Sequence, residues 1–272
     1  MLVLALDTTT REGSLALARD GRVFDCWSGD ASLTHARRLP GDILHGLSRN
    51  GLALADVTLF AVAAGPGSFT GLRIGIATIQ GLAFAHRRPV VGVSALDALA
   101  YAARPVSGGG RIGVWMDAQR QEVFACLYDP SAAGPPEPVP GEASRPGATV
   151  EGEGTAGGLG ELWIVAGPEV GFPAEILSDR RWQDAARTAW VGDGALRYRG
   201  VIEEAAAGES ARLIEPIPPL APSICLIAAR RAELGLATAP HAIRPVYIRR
   251  PDAELARDRR RQAVEGARKG GE

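Results

Sequence analysis

A chain of 272 residues with 46% hydrophobic and 22% charged side chains can bury a sizeable core, which excludes wholesale disorder. Its 30 basic and 31 acidic residues leave a net charge of −1, so no global positive field draws in nucleic acid, and any RNA contact is local or made by a partner. Lys269 is the only lysine and stands in a polar tail, which excludes a catalytic lysine in the body.

Residues 1–7 (MLVLALD) are almost continuously apolar and end in an acid, the pattern of a buried central strand with Asp7 at its C-terminal edge. A turn leads to a strand at 14–19, and Asp20-Gly21 marks a hairpin into a third strand at 22–27. Residues 33–49 are expected to be helical, with Leu33, Leu39, Ile43, Leu44 and Leu47 at helical spacing, Ser32 as N-cap and Pro40 as a kink or break. A buried strand at 57–64, a loop at 65–71 and a helix at 72–86 follow. Then come a strand at 89–94, a helix at 95–103 and a strand pair at 111–117 and 122–128.

Residues 130–160 are dominated by Pro, Gly, Ala and Glu and read as a flexible insertion. Strands are expected again at 162–167 and 189–194, helices near 195–207 and from Ser223 to Leu236, and a last strand at 245–249. Residues 251–272 are charged and expected to be a disordered tail. A meander followed by alternating strands and helices predicts an α/β fold with mixed sheets flanked by helices. Cys26, Cys126 and Cys225 form no CxxC pair and read as small core residues in a reducing compartment. With no signal peptide and no apolar run of bilayer length, a cytoplasmic protein is expected.

The Gly-rich loop GPGSFTG (65–71) fails the phosphate-loop, dinucleotide and nucleophile-elbow templates, since Leu72-Arg73, Thr70 and Pro66 stand where each needs another residue. It remains either a tight strand-to-helix turn or an anion site at a helix N-terminus. In the helix that follows, Leu72, Ile76, Ile79 and Ala83 share the face expected to meet the sheet. Gly71, Ile74, Gly75, Thr78, Gly81, Leu82 and Ala85 share a face of mostly small residues, where another helix could come close, either the chain's own 33–49 segment or a second subunit's. Asp7 with Thr8, Thr9, Thr10 and Ser14 is an acid-plus-hydroxyl loop that suits a metal–phosphate group or a hydroxyl-capped turn. His35, His45, His86 and His241 form no metal-binding spacing.

LALDTTTREGSLAL, HARRLPGDIL, AVAAGPGSFTGLRIGIATIQGLAFA and VVGVSALDALA together resemble the bacterial TsaB (YeaZ) family, as do MDAQRQEVFACLY and PVYIR. The resemblance implies an actin-like ATPase (ribonuclease-H-like) superfold: an N-terminal lobe at 1–105 and a C-terminal lobe at 106–250 interrupted by the 130–160 insertion. It implies a non-catalytic scaffold subunit that works with a TsaD-type catalytic subunit and a TsaE-type ATPase. That complex makes threonylcarbamoyladenosine beside the anticodon of tRNA, and the chain reaches tRNA only through it. The resemblance leaves open a homodimer when the partner is absent.

The family's dimer contact uses the first two helices, which here puts Leu33, Arg37, Gly71, Arg73, Ile74, Gly75, Thr78, Gly81 and Leu82 at the partner interface. Asp7, Thr8, Thr9 and Thr10 correspond to a vestigial first phosphate loop, and residues 191–195 (VGDGA) are the one candidate for a second. No metal and no cofactor of its own are expected, with ATP or ADP placed at the complex interface. The HxxxH motif of TsaD-type relatives is absent. The alternative is a small-molecule kinase or ATPase of the same superfold, which needs a full set of phosphate loops and a carboxylate base.

Overall fold

The structure is a computed structural model that describes residues 1–130 and 163–249. The expected insertion at 130–160, but for residue 130, and the expected tail at 251–272 lie outside the described residues. Leu2–Asp7 (β1), Ser14–Arg19 (β2) and Arg22–Ser28 (β3) form the antiparallel meander, and Leu59–Gly65 (β4) and Val90–Ser94 (β5) add parallel strands beside β1. The sheet order is β3-β2-β1-β4-β5.

Its helices are His35–Arg49 (α1), Phe69–His86 (α2) and Ala95–Ala103 (α3). The helix α1 runs unbroken through Pro40 and starts after Thr34. Ser32 does not cap it; its backbone N–H donates to Asp30 Oδ1 (2.8 Å) in the preceding turn. The helix α2 begins three residues earlier than its apolar spacing suggests, because Ser68 caps it and accepts from Gly71 N (3.2 Å).

Ile112–Asp117 (β6), Val123–Asp129 (β7), Trp163–Gly171 (β8), Ala189–Val191 (β9) and Arg212–Leu213 (β10) form a second sheet in the order β8-β7-β6-β9-β10. Its pairings repeat those of the first: β6 and β7 antiparallel, β7 and β8 antiparallel, β6 and β9 parallel, β9 and β10 parallel. The two lobes are therefore copies of one topology, with β6 standing where β1 stands. Pro173–Ser178 (α4), Asp193–Arg197 (α5) and Arg199–Ala205 (α6) belong to this lobe.

Strand periodicity decides what covers each face. In the first sheet Leu4, Leu6, Leu15, Leu17, Phe60 and Val62 point to α1 and α2. Val3, Ala5, Ala16, Ala18, Ala61 and Ala63 point the other way, and these small side chains let Leu220–Glu233 (α7) pack closely. The helix α3 touches α7 and both sheets, so one continuous core joins the lobes from Val3 to Cys126 and Val191. Although chain order places them after the second lobe, α7 packs on the first sheet and Ile243 is buried in that lobe's core. At the lobe junction Tyr128 Oη donates to Asp97 Oδ1 (2.8 Å), and Arg231 reaches Asp97 Oδ2 (3.4 Å) and Gly92 O (2.8 Å).

The outer face of the second sheet packs Trp115, Trp182 and Trp190, their ring centroids 5.0–6.2 Å apart. Residues 245–249 are irregular, not a strand. Cys126 and Cys225 are buried but Cys26 is exposed on the edge strand β3, which corrects its reading as a core residue. Among the described residues no helix is long and apolar enough to cross a membrane.

Candidate functional site

Two features stand out: a cleft between the lobes and the outer face of α1 and α2. The cleft measures about 1000 Å³ and lies between the β1–β2 hairpin, the loop 66–71 and the β6–β7 hairpin. Asp7 closes β1 and Asp117 closes β6. Each carboxylate accepts the backbone N–H two residues on, Thr9 N at 2.8 Å and Gln119 N at 2.9 Å. The 117–121 hairpin is thus the structural counterpart of the first loop. Sequence reading missed it, because no motif is shared beyond the strand-ending Asp. Residues 191–195 run from the last residue of β9 into α5 and so match the connection after β4, not the hairpin.

The first loop does not fit a metal–phosphate group. Asp7 is 2% exposed, and its Oδ1 accepts from both Thr9 N (2.8 Å) and Thr9 Oγ1 (2.6 Å). Burial pushes its carboxyl above the usual carboxylate range; the Thr9 bonds and the nearby Arg38 oppose that without reversing it. Thr8 Oγ1 donates to Gly71 O (2.8 Å), and Gly67 lies so close that a Cβ there would sit 2.5 Å from Thr9 Cβ. The GPGSFTG loop therefore fills the place beside Asp7 and Thr8. Only Thr10 of the four candidate residues is exposed. In the second lobe Asp117 pairs with Arg197 (2.6 Å), and Asp193 accepts from Asp117 N and Gly194 N, so these acids are also internally engaged. Among the described residues no cluster of three or more His, Cys, Asp or Glu could hold a metal ion.

Sequence reasoning also missed Arg38, which nothing distinguishes from its exposed neighbour Arg37. It is buried, pairs with Asp42 (2.5 Å), donates to Glu12 O and donates to His35 Nδ1 (2.9 Å). Since arginine only donates, His35 Nδ1 accepts, and its Nε2–H donates to Thr10 O (2.9 Å). Partial burial lowers the His35 pKa, which favours this neutral tautomer. His35 and Arg38 thus bind the first loop to the start of α1.

On the outer face, α1 turns Arg37, Gly41, Leu44 and Ser48 to solvent, and α2 turns Ala77, Gly81 and Phe84. Phe84 is 79% and Leu44 56% exposed, although helical spacing placed Leu44 with the core residues. Ile74, Thr78 and Leu82 are half-buried along the same side of α2, and the Thr78 hydroxyl is spent on Ile74 O (2.8 Å). Gly71 and Gly75 are not on this face. A Cβ at Gly75 would lie 2.2 Å from Thr8 Oγ1 and one at Gly71 would lie 2.1 Å from Thr8 O, so both glycines serve close packing on the first loop. Arg73, expected at the partner interface, is engaged within the chain. It lies over the Phe69 ring at 3.9 Å and donates from Nε to Tyr247 Oη (3.1 Å). Leu33 is half-buried and lines the cleft.

The family model described as "TsaD: tRNA N6-adenosine threonylcarbamoyltransferase" matches residues 29–258. The tRNA threonylcarbamoyladenosine biosynthesis protein TsaB of Escherichia coli is 29% identical over 252 residues, covering 92% of this chain and 95% of that protein. The Haemophilus influenzae protein of the same description is 38% identical over 124 residues, 46% of this chain and 52% of that one. YeaZ from Pseudomonas aeruginosa superposes with a TM-score of 0.66 at 28% identity, covering 90% of this chain and 100% of that structure. A second Pseudomonas aeruginosa structure, described as similar to peptidase YeaZ, gives 0.68 at 28% identity, covering 91% and 99%. Sequence match, doubled topology and near full-length superposition agree: the chain is a member of the TsaD-type threonylcarbamoyltransferase family, in its TsaB (YeaZ) branch.

Proposed function

We propose that this chain is an accessory subunit of the complex that transfers a threonylcarbamoyl group to the adenosine beside the anticodon of tRNA. It acts by docking rather than by chemistry of its own. The observation that carries the pathway is its near full-length correspondence to the E. coli TsaB protein. The docking role is supported by the α1–α2 face, where Leu44 and Phe84 are exposed beside the small residues Gly41, Ala77 and Gly81. A TsaD-type subunit is the occupant that suits this reading, with a TsaE-type ATPase completing the assembly. The same face serves self-pairing when that partner is absent. Of the residues expected at the interface, Arg37, Ile74, Thr78, Gly81 and Leu82 remain available to it, while Gly71, Gly75 and Arg73 are engaged within the chain.

The kinase or ATPase alternative gains nothing from the cleft. A phosphotransferase needs a carboxylate free to hold a metal or take a proton. Asp7 is sealed under Thr9, and Asp117 is paired with Arg197. In this reading any nucleotide belongs to the complex interface and not to this chain alone. The docking claim is tested by size-exclusion chromatography of the wild type and Gly81→Trp with the TsaD-type subunit. No atom lies within 4 Å of a Cβ at Gly81, so the variant is expected to fold, which circular dichroism checks. It is expected to lose co-elution; co-elution equal to the wild type refutes this face as the interface.

A further inference from the structure

The segment 238–249 follows α7 and crosses from the first lobe to the second by a path that chain order gives no hint of. It is fastened to the first sheet at Thr238, which exchanges hydrogen bonds with Val90 (N–H to O, 2.9 Å each way). Gln80 of α2 donates to Pro240 O (2.9 Å) and Ile243 O (3.0 Å), and the Ile243 side chain is buried in the first lobe's core. Val246 N donates to Ala64 O (2.7 Å) at the end of β4. The Val246 carbonyl passes so near Gly65 that a Cβ there would lie 2.5 Å away. Tyr247 stacks on Phe69 at the first turn of α2, centroids 4.9 Å apart, and its hydroxyl accepts from Arg73. Two residues on, Arg249 Nη1 donates to Ala118 O (2.6 Å) and its guanidinium pairs with Glu122, both on the second lobe's hairpin.

On the far side the lobes are joined by the core around α3 and α7. Val246, Tyr247, Ile248 and Arg249 form part of the cleft wall on the near side. Among the described residues, a core on one side and a hydrogen-bonded segment on the other make an unequal pair of attachments, since such segments open locally far below the global unfolding free energy. We propose that residues 243–249 are a strap that holds the mouth of the cleft, fixing the 118–122 hairpin of the second lobe to the start of α2 in the first. The hairpin needs such support. Gln119, Arg120 and Gln121 all have φ near +60°, a region that side chains other than glycine occupy only under constraint.

Hydrogen exchange of the full chain tests the strap, with changes made only at first-lobe contacts and read in the second lobe. In Val246→Pro, which removes the donor to Ala64, and in Tyr247→Ala, amides of 118–122 are expected to exchange at least about tenfold faster. Those of β1 and β6 are expected to stay at wild-type rates. Unchanged exchange at 118–122 overturns the proposal, because the hairpin then stands without the strap. Equal acceleration in β1 and β6 also overturns it, because the segment is then part of the cooperative fold. Tyr247→Phe keeps the ring stack and loses only the bond from Arg73, so it remains readable if the larger changes unfold the chain. A smaller acceleration at 118–122 supports the strap, and none overturns it.

Discussion

The acid-plus-hydroxyl loop after the first strand had two readings, a metal–phosphate site or a capped turn, and here Asp7 does the work of a turn. Its folded-state pKa is raised, chiefly by burial. A raised carboxyl contributes stability that is fully present below its unfolded value, near 3.9, and is lost as pH rises through its folded value. Asp7→Asn keeps an acceptor for Thr9 N and Thr9 Oγ1 and removes the titration. The variant is therefore expected to melt at a higher temperature than the parent at pH 7 and to lose less stability between pH 4 and 7. A lower Tm across that range contradicts the turn role. The residues of this loop were legible in the sequence as an acid-plus-hydroxyl cluster with two readings. What separates the two is the 2% exposure of Asp7 and the approach of Gly67, both set by a segment nearly sixty residues away.

The elements of the first lobe follow from periodicity. The alternation of large and small residues in β1, β2 and β4 assigns one face to α1 and α2 and the other to α7. In α2 the sheet-facing set Leu72, Ile76, Ile79 and Ala83 is buried as its spacing requires. Its small-residue set divides in a way that a helical wheel cannot show. Gly71 and Gly75 meet the first loop, whereas Gly81, half a helix further on, has run past it into open space. Gly75→Ala is therefore expected to destabilise the isolated protein by about 1–3 kcal/mol, the usual cost of overpacking. Its Cβ would press on a threonine whose hydroxyl is already committed to Gly71 O. Thermal melting checks this, and an unchanged Tm would show that Thr8 yields freely. The strap at 243–249 was least legible, since PVYIR has strand composition but its ladder partner is a single carbonyl, Ala64 O.

At the scale of the whole molecule, the doubled topology puts two hairpins on opposite walls of one cleft, each anchored by a strand-ending aspartate. That symmetry was hidden from the sequence because DTTTREGS and DAQRQEV share little more than their first residue. The family was legible, because the loop 65–71, its flanking strand and helix, and the opening meander occur together. The central claim is that the chain is required for tRNA modification and supplies none of its chemistry. It is tested most directly by reconstituting threonylcarbamoyladenosine formation on tRNA, with a threonylcarbamoyl-adenylate donor and ATP supplied, from the TsaD-type subunit and the TsaE-type ATPase, with this chain present, omitted, or added alone. Modified adenosine is expected only when all three proteins are present. Full modification without this chain, or any modification by this chain alone, would contradict the account.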